Sequence, residues 1–223
     1  MSIDPTAPEI AAARERAAGA LRRLGNALVG HECDAELLEQ IAVRADRIAA
    51  DVEQGTPRSR PVELMKRSLW EAPPADGGPM SHFPECMVSG KANPMGLAID
   101  VRREGDEAVA SFRLGPAFEG APKRAHGGAV AAVFDDVMGY VLRLVSVPAY
   151  TGKLSLNYRA PVPVGEPLEV RARLARRDGR KLWIEAEMTL EDEQRKVIGD
   201  AEALFIAIPP ERLGISTQTG SGG

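Results

Sequence analysis

RAHGGAVAAVFDDVMGYVLRLV, residues 124–145, decides how the rest of this chain must be arranged. From Ala129 to Val145 nearly every side chain is apolar, the composition of a helix covered on most sides. Two carboxylates, Asp135 and Asp136, interrupt it at mid-length, where burying an ionised group is costly. Neighbours on a helix point about 100° apart, so the two acids cannot share one face. One can salt-bridge at a surface edge while the other does chemistry, although such a pair alone is more often structural than catalytic. His126-Gly127-Gly128 opens the run. The N–H groups of a first helical turn have no partner within the helix and lie at the positive end of its dipole. With glycine there, a ligand can approach the backbone closely. A carbonyl oxygen so placed is polarised, and an oxyanion is stabilised more. Taken alone, a glycine pair equally well serves a tight turn.

The flanking sequence reads as strands. Ala108–Leu114 follows the turn signal Glu104-Gly105-Asp106 and alternates Ala110, Phe112 and Leu114 against Val109, Ser111 and Arg113. Leu154, Leu156 and Tyr158 alternate with Ser155, Asn157 and Arg159, and Leu168, Val170 and Ala172 with Glu169, Arg171 and Arg173. Asp178-Gly179 is a hairpin signal leading into Leu182, Ile184, Ala186 and Met188, and Val197–Ile208 is the last strand. The expected order is two strands, one long apolar helix, then four strands in a meander. A helix apolar on nearly all sides needs a sheet curled around it. The fold class expected is therefore α+β with hot-dog architecture, an antiparallel sheet wrapped around one long central helix.

Residues 8–54 read as two amphipathic helices forming an N-terminal helical extension. Ile10, Ala17, Leu21, Leu24 and Leu28 stripe the first, which Gly30 ends. Asp34 caps the second, where Leu37, Leu38, Ile41, Ala45, Ile48 and Val52 recur until Gly55 and Pro57. Such a pair buries little alone and must pack on the rest of the protein or on a partner chain. A Pro/Gly-rich connection with a short helix at Val62–Trp70 follows, and GISTQTGSGG closes the chain. The expected division is 1–80 extension and linker, 81–213 main domain, 214–223 disordered tail.

Composition narrows the function. A net charge of −4 over 223 residues gives no support to a nucleic-acid role. No apolar run reaches the length of a membrane span, and the N-terminus lacks the apolar centre of a signal peptide, so a cytoplasmic location is expected. Cys33 and Cys86 are expected as free thiols. Neither GxSxG nor HExxH nor a phosphate-binding loop occurs, and three histidines make a His-rich metal site improbable. No metal and no cofactor are expected.

If Gly127 is the polarising donor and Asp135 the working carboxylate, eight residues separate them, about 12 Å along a helix. Both must come within about 3 Å of one reacting group. They can do so only from different subunits, which predicts a composite site and a homo-oligomer.

CMVSG at 86–90, FEGAPKRAHGG at 118–128, Asp135 nine residues after His126, Thr151 with KLSLNYRAPVPVG behind it, and GRK at 179–181 together resemble the hot-dog acyl-CoA thioesterases. The similarity is to the PaaI-like branch, including its long-chain acyl-CoA members, over roughly residues 83–208. It implies hydrolysis of a fatty or aromatic acyl-CoA to free acid and coenzyme A. Gly127 then supplies an N–H to the thioester oxygen, assisted by Gly128, and His126 holds the loop, bonds near the thioester or only caps the helix. Asp135 of the facing subunit is nucleophile or general base, with Asp136 the less favoured acid, and Thr151 orients the water or the carboxylate. Lys153, Asn157, Arg159, Arg180 and Lys181 are candidates for the pantetheine and phosphate end, and Val130, Phe134 and Met138 for the acyl channel. The partners implied are the acyl-CoA substrate and further copies of the chain, as a dimer or a tetramer built of dimeric units. A hot-dog hydratase carries Asp five residues before His. The residues five before His31, His82 and His126 are Asn26, Gly77 and Ala121, so hydration is disfavoured. A non-catalytic acyl-CoA-binding module is the other alternative, against which the pairing of Asp135 with Thr151 argues.

Overall fold

The structure, a computed structural model, describes residues 7–58, 72–192 and 194–209; the Val62–Trp70 helix and the 214–223 tail expected from sequence lie outside them. Two helices open the chain, α1 (Pro8–Gly30) and α2 (Ala35–Glu53), the second capped by Asp34, whose carboxylate accepts the Leu37 N–H at 2.8 Å. Strands β1 (Pro79–Met80), β2 (Asp100–Glu104) and β3 (Glu107–Phe112) follow. Then come a 3-10 turn at Pro116–Phe118 and the small pair β4 (Glu119–Ala121) and β5 (Arg124–Ala125). The central helix α3 (Gly127–Leu144) leads into β6 (Ala149–Tyr158), β7 (Leu168–Asp178), β8 (Lys181–Leu190) and β9 (Val197–Ala207).

Seven strands make one antiparallel sheet in the order β1-β2-β3-β7-β8-β9-β6. This is the hot-dog fold: α3 lies in the concavity of the sheet and buries Val130, Val133, Phe134, Val137, Met138, Tyr140, Val141 and Leu142 against it. Each large side chain so buried contributes about 1.5–3 kcal/mol of hydrophobic free energy. Among the described residues no helix is long and apolar enough to cross a membrane.

The four-strand meander expected after the helix is corrected. Only β7, β8 and β9 meander, whereas β6 lies at the sheet's edge beside β9. Residues 159–167 carry the chain from β6 back across the start of α3 to β3. Ala125 N–H bonds Val162 O, and Gly165 N–H bonds Leu114 O, along that path. Proline at 161 and 163 keeps this segment out of the ladder and extended. Tight turns join β2 to β3 and β7 to β8, with Gly105 and Gly179 at φ +57° and +53°, conformations that favour glycine.

Strand alternation assigns Val109 outward, yet it is fully buried. Its ladder partners are Arg102 and Arg171, whose stems flank it on the outer face. Their guanidiniums are gathered by acids: Arg171 meets Glu104 at 2.6 Å, Glu169 at 2.8 Å and Glu107 at 3.0 Å. Burial alone would raise the Glu169 carboxyl, but Arg171 and Arg195 outweigh it and hold it below the usual carboxylate range.

Candidate active site

At its N-terminus α3 is capped by His126, whose Nδ1 accepts the Gly128 N–H at 2.9 Å. The amide of Gly128 is thereby engaged within the chain. Among the described residues the Gly127 N–H has no acceptor, so it is the open donor of this helix end. The Tyr158 hydroxyl donates to Gly127 O at 2.9 Å and ties the end of β6 to the start of α3. A cleft of about 470 Å³ opens here, lined by His126, Gly127, Val130, Tyr158, Arg124 and Arg159 among others. Arg124 was not singled out by sequence reasoning, since a lone arginine beside a turn carries no signal.

Eight residues further along α3, the Thr151 hydroxyl donates to Asp135 Oδ1 at 2.8 Å. Strict alternation would place Thr151, three residues before Leu154, on the opposite sheet face from Leu154, Leu156 and Tyr158. The β6–β9 register slips between Thr151 and Lys153, opposite Phe205 and Leu204. That bulge, at Gly152, turns Thr151 towards the helix. A Cβ at Gly152 would lie 3.1 Å from Ile206 Cγ1 and 3.3 Å from Leu204 O, so little beyond glycine fits.

Asp136 leaves the helix on the other side. Its Oδ1 accepts the Cys86 thiol at 3.0 Å. Burial, then the bond to Asp136, pushes the Cys86 thiol up, so it keeps the proton it donates. Tyr140, one turn along α3, donates to Ser89 Oγ at 2.9 Å and accepts the His82 N–H at 3.0 Å. The His82 ring stacks on Tyr140 with centroids 3.6 Å apart. Burial pushes the Tyr140 hydroxyl up to about 12. The two aspartates thus divide as the helical angle requires: Asp136 and Tyr140 fasten segment 81–90 onto α3, and Asp135 faces β6.

The expected cationic residues do not converge in one chain. Asn157 donates to Asp200 Oδ2 at 2.8 Å, and Arg159 pairs with the same carboxylate. The Asn157 bond, then Arg159, holds the Asp200 carboxyl below its ordinary value. Arg180 donates to Ala207 O at 3.0 Å, and Lys181 lies across the β8–β9 ladder from Ile206, beside the Thr151 end of β6. Lys153 sits on that same end. Arg124 and Arg159 belong to the Gly127 cleft, Lys153, Arg180 and Lys181 to the Asp135 end. These groups therefore lie towards the two ends of β6.

Comparison with known proteins matches residues 123–197, from the turn before α3 through β8 to the first residue of β9, to the Thioesterase superfamily. That segment is thus similar to a thioesterase-superfamily domain. It is 29% identical to the acyl-coenzyme A thioesterase THEM4 of Bos taurus over 130 residues, covering 57% of this chain and 53% of that one. To THEM4 of Mus musculus it is 33% identical over 104 residues, 47% of this chain and 44% of the relative. The chain spans about half the length of these curated relatives. A crystal structure of a thioesterase superfamily protein superposes with a TM-score of 0.73 at 26% identity, covering 86% of this chain and 94% of that one. The superposition therefore reaches beyond the family segment, over most of the chain.

Two stability tests follow from the Asp136 side. Tyr140→Phe leaves a buried Ser89 hydroxyl and the His82 N–H without their partner, and denaturant unfolding should show a loss of about 1–3 kcal/mol. His82 is pushed below its ordinary value mainly by burial, which the Asp136 carboxylate opposes and Arg143 reinforces. Its unfolded form binds the proton more readily, so its contribution is complete above about pH 6.5 and declines as pH falls towards the folded value. His82→Phe should flatten stability against pH between about 7 and 5; an unchanged slope would contradict this assignment.

Proposed function

We propose that this chain hydrolyses acyl-CoA thioesters at a site built by two copies. One contact carries the reading: the Thr151 hydroxyl on Asp135 Oδ1, at 2.8 Å, on the side of α3 that faces the sheet edge. A carboxylate held by a hydroxyl and open to that edge suits general-base work on water.

The second copy is called for by distance. Gly127 N–H and Asp135 stand about 12 Å apart on one helix, beyond the reach of a single carbonyl. β6 is a ten-residue strand at the open edge of the sheet, a template for pairing with another strand. Two β6 strands paired antiparallel about a two-fold axis bring the Thr151 end of each beside the Tyr158 end of the other. Asp135 of one copy then faces the Gly127 cleft of its partner. The same pairing gathers Lys153, Arg180 and Lys181 of one chain with Arg124 and Arg159 of the other, a cationic rim suited to the phosphates of coenzyme A.

In the reaction, the thioester oxygen accepts the Gly127 N–H. Asp135 takes a proton from water as the hydroxide oxygen bonds to the carbonyl carbon. The oxyanion is held by the Gly127 amide until it collapses, the C–S bond breaks, and the thiolate of coenzyme A leaves and takes up a proton. His126 keeps the helix end in place through its bond to Gly128. The acyl group, fatty or aromatic, enters the Gly127 cleft beside Val130, whereas Phe134 and Met138 are packed into the core. Water is the only co-reactant, so no cofactor is called for.

Coenzyme A release, followed with a thiol reagent over acyl-CoAs of several chain lengths, tests this. Asp135→Asn should lose at least about 10²-fold in kcat. Gly127 is the first helical residue, where proline is accepted and lacks the N–H, although a Cβ there sits 3.3 Å from the Tyr158 hydroxyl, which must give; Gly127→Pro should lose about 10²–10³-fold while circular dichroism shows the helix retained. Asp136→Asn should stay active. An inactive Asp136→Asn beside an active Asp135→Asn would name the wrong acid, and wild type that binds acyl-CoA without releasing thiol would mark a binding module.

A further inference from the structure

α1 attaches to the body by one narrow face. Ala18 is buried, Arg22 donates to Asn93 O at 2.6 Å and to Lys91 O at 2.9 Å, Asn26 accepts the Ala117 N–H at 3.3 Å, and Gly30 abuts Pro116. These residues recur every four positions. The leucines lie some 150° around the helix from them and point away, Leu21 at 52% exposure and Leu24 at 43%. α2 buries no residue at all, although Ile48 and Val52 are apolar and 61% and 72% exposed.

The spacing on α2 says what kind of surface fits it. Leu38, Ile41, Ala45, Ile48 and Val52 recur at intervals of three, four, three and four, the heptad pattern of a helix-to-helix seam. The same interval pattern runs through Ala17, Leu21, Leu24 and Leu28 on α1. With Leu38, Ala45 and Val52 at a and Ile41 and Ile48 at d, one flank of the α2 seam is Ala35, Ala42 and Ala49, the other Leu37, Arg44 and Asp51.

We propose that α2 pairs antiparallel with α2 of a second copy of this chain, with Ala45 opposite Ile48 of the copy and Ile41 opposite Val52. Three features select this arrangement. In a parallel pair Ala45 meets Ala45 and leaves the centre of the seam underfilled, whereas the antiparallel pair sets small against large. In this register Arg44 faces Asp51 of the copy, twice by symmetry, whereas sliding the helices by one heptad sets Arg44 against Arg44. The alanine flank lets the backbones approach on the side that carries no charge. The surface lies on the helical extension and includes no residue of β6, so this contact is additional to the pairing proposed for the active site and stands or falls separately from it.

Disulfide trapping and charge exchange test it on the full chain in a Cys33→Ser background. Ala45→Cys chains mixed with Ile48→Cys chains should give a covalent dimer under mild oxidation, at least about tenfold above either variant alone. By sedimentation over a dilution series, Arg44→Asp should weaken this association about tenfold or more, and Arg44→Asp combined with Asp51→Arg should restore it. Circular dichroism confirms that these surface variants keep their helices. No excess cross-link in the mixture, or a double variant no better than the single one, overturns the proposal; so does a wild-type chain that stays monomeric, or one whose α2 cross-links instead to an unrelated protein. Thiol release from acyl-CoA should persist in Arg44→Asp, which separates failure of this contact from failure of the hydrolytic reading.

Discussion

Eight residues between Gly127 and Asp135 are the constraint on which the candidate chemistry turns. A helix fixes that spacing at about 12 Å and gives no freedom to shorten it. β6 then fixes both residues to the sheet edge, through Tyr158 on the Gly127 carbonyl at 2.9 Å and Thr151 on Asp135 at 2.8 Å. The strand is thus a ruler with an open amide and a cleft at one end and a hydroxyl-held carboxylate at the other. The amide and the carboxylate are each held within the chain, at opposite ends of that strand. The architecture that stabilises the domain, an apolar helix gripped by a sheet, also keeps the two apart.

The same helix shows how one sequence position can separate two surroundings. Asp135 and Asp136 differ by one residue and therefore by about 100° in direction. Asp136 meets a thiol that burial keeps protonated, beside the Tyr140–Ser89–His82 cluster. That cluster binds segment 81–90 to the helix and so fixes one wall of the interior. Asp135 meets the edge of the sheet. A hydrophobic helix carries two acids at its waist because the waist has two different sides.

Much of this was legible in the residues. The apolar run of 129–145 required a sheet around it, and alternation through Leu168–Met188 drew the inward faces of β7 and β8. Other features depended on contacts distant in sequence. The place of β6 beside β9 is decided by the 159–167 crossover, which has no periodicity of its own. Thr151 reaches Asp135 only through the bulge at Gly152, and alternation read without that bulge points it to the wrong face. Val109 looked like an outward position and is buried because Arg102 and Arg171 close over it, a property of neighbouring strands rather than of its own. The cationic candidates were named for one end of the substrate; the fold distributes them to the two ends of β6.

Subunit complementation tests the shared site most directly. Gly127→Pro and Asp135→Asn chains, each inactive alone, are dissociated, mixed in equal amounts and allowed to reassociate. Half of the resulting dimers then carry one intact site of two, so about a quarter of wild-type acyl-CoA hydrolysis should return. If native mass spectrometry shows mixed dimers while no activity returns, amide and carboxylate do not act from different chains, and the account of the site is wrong.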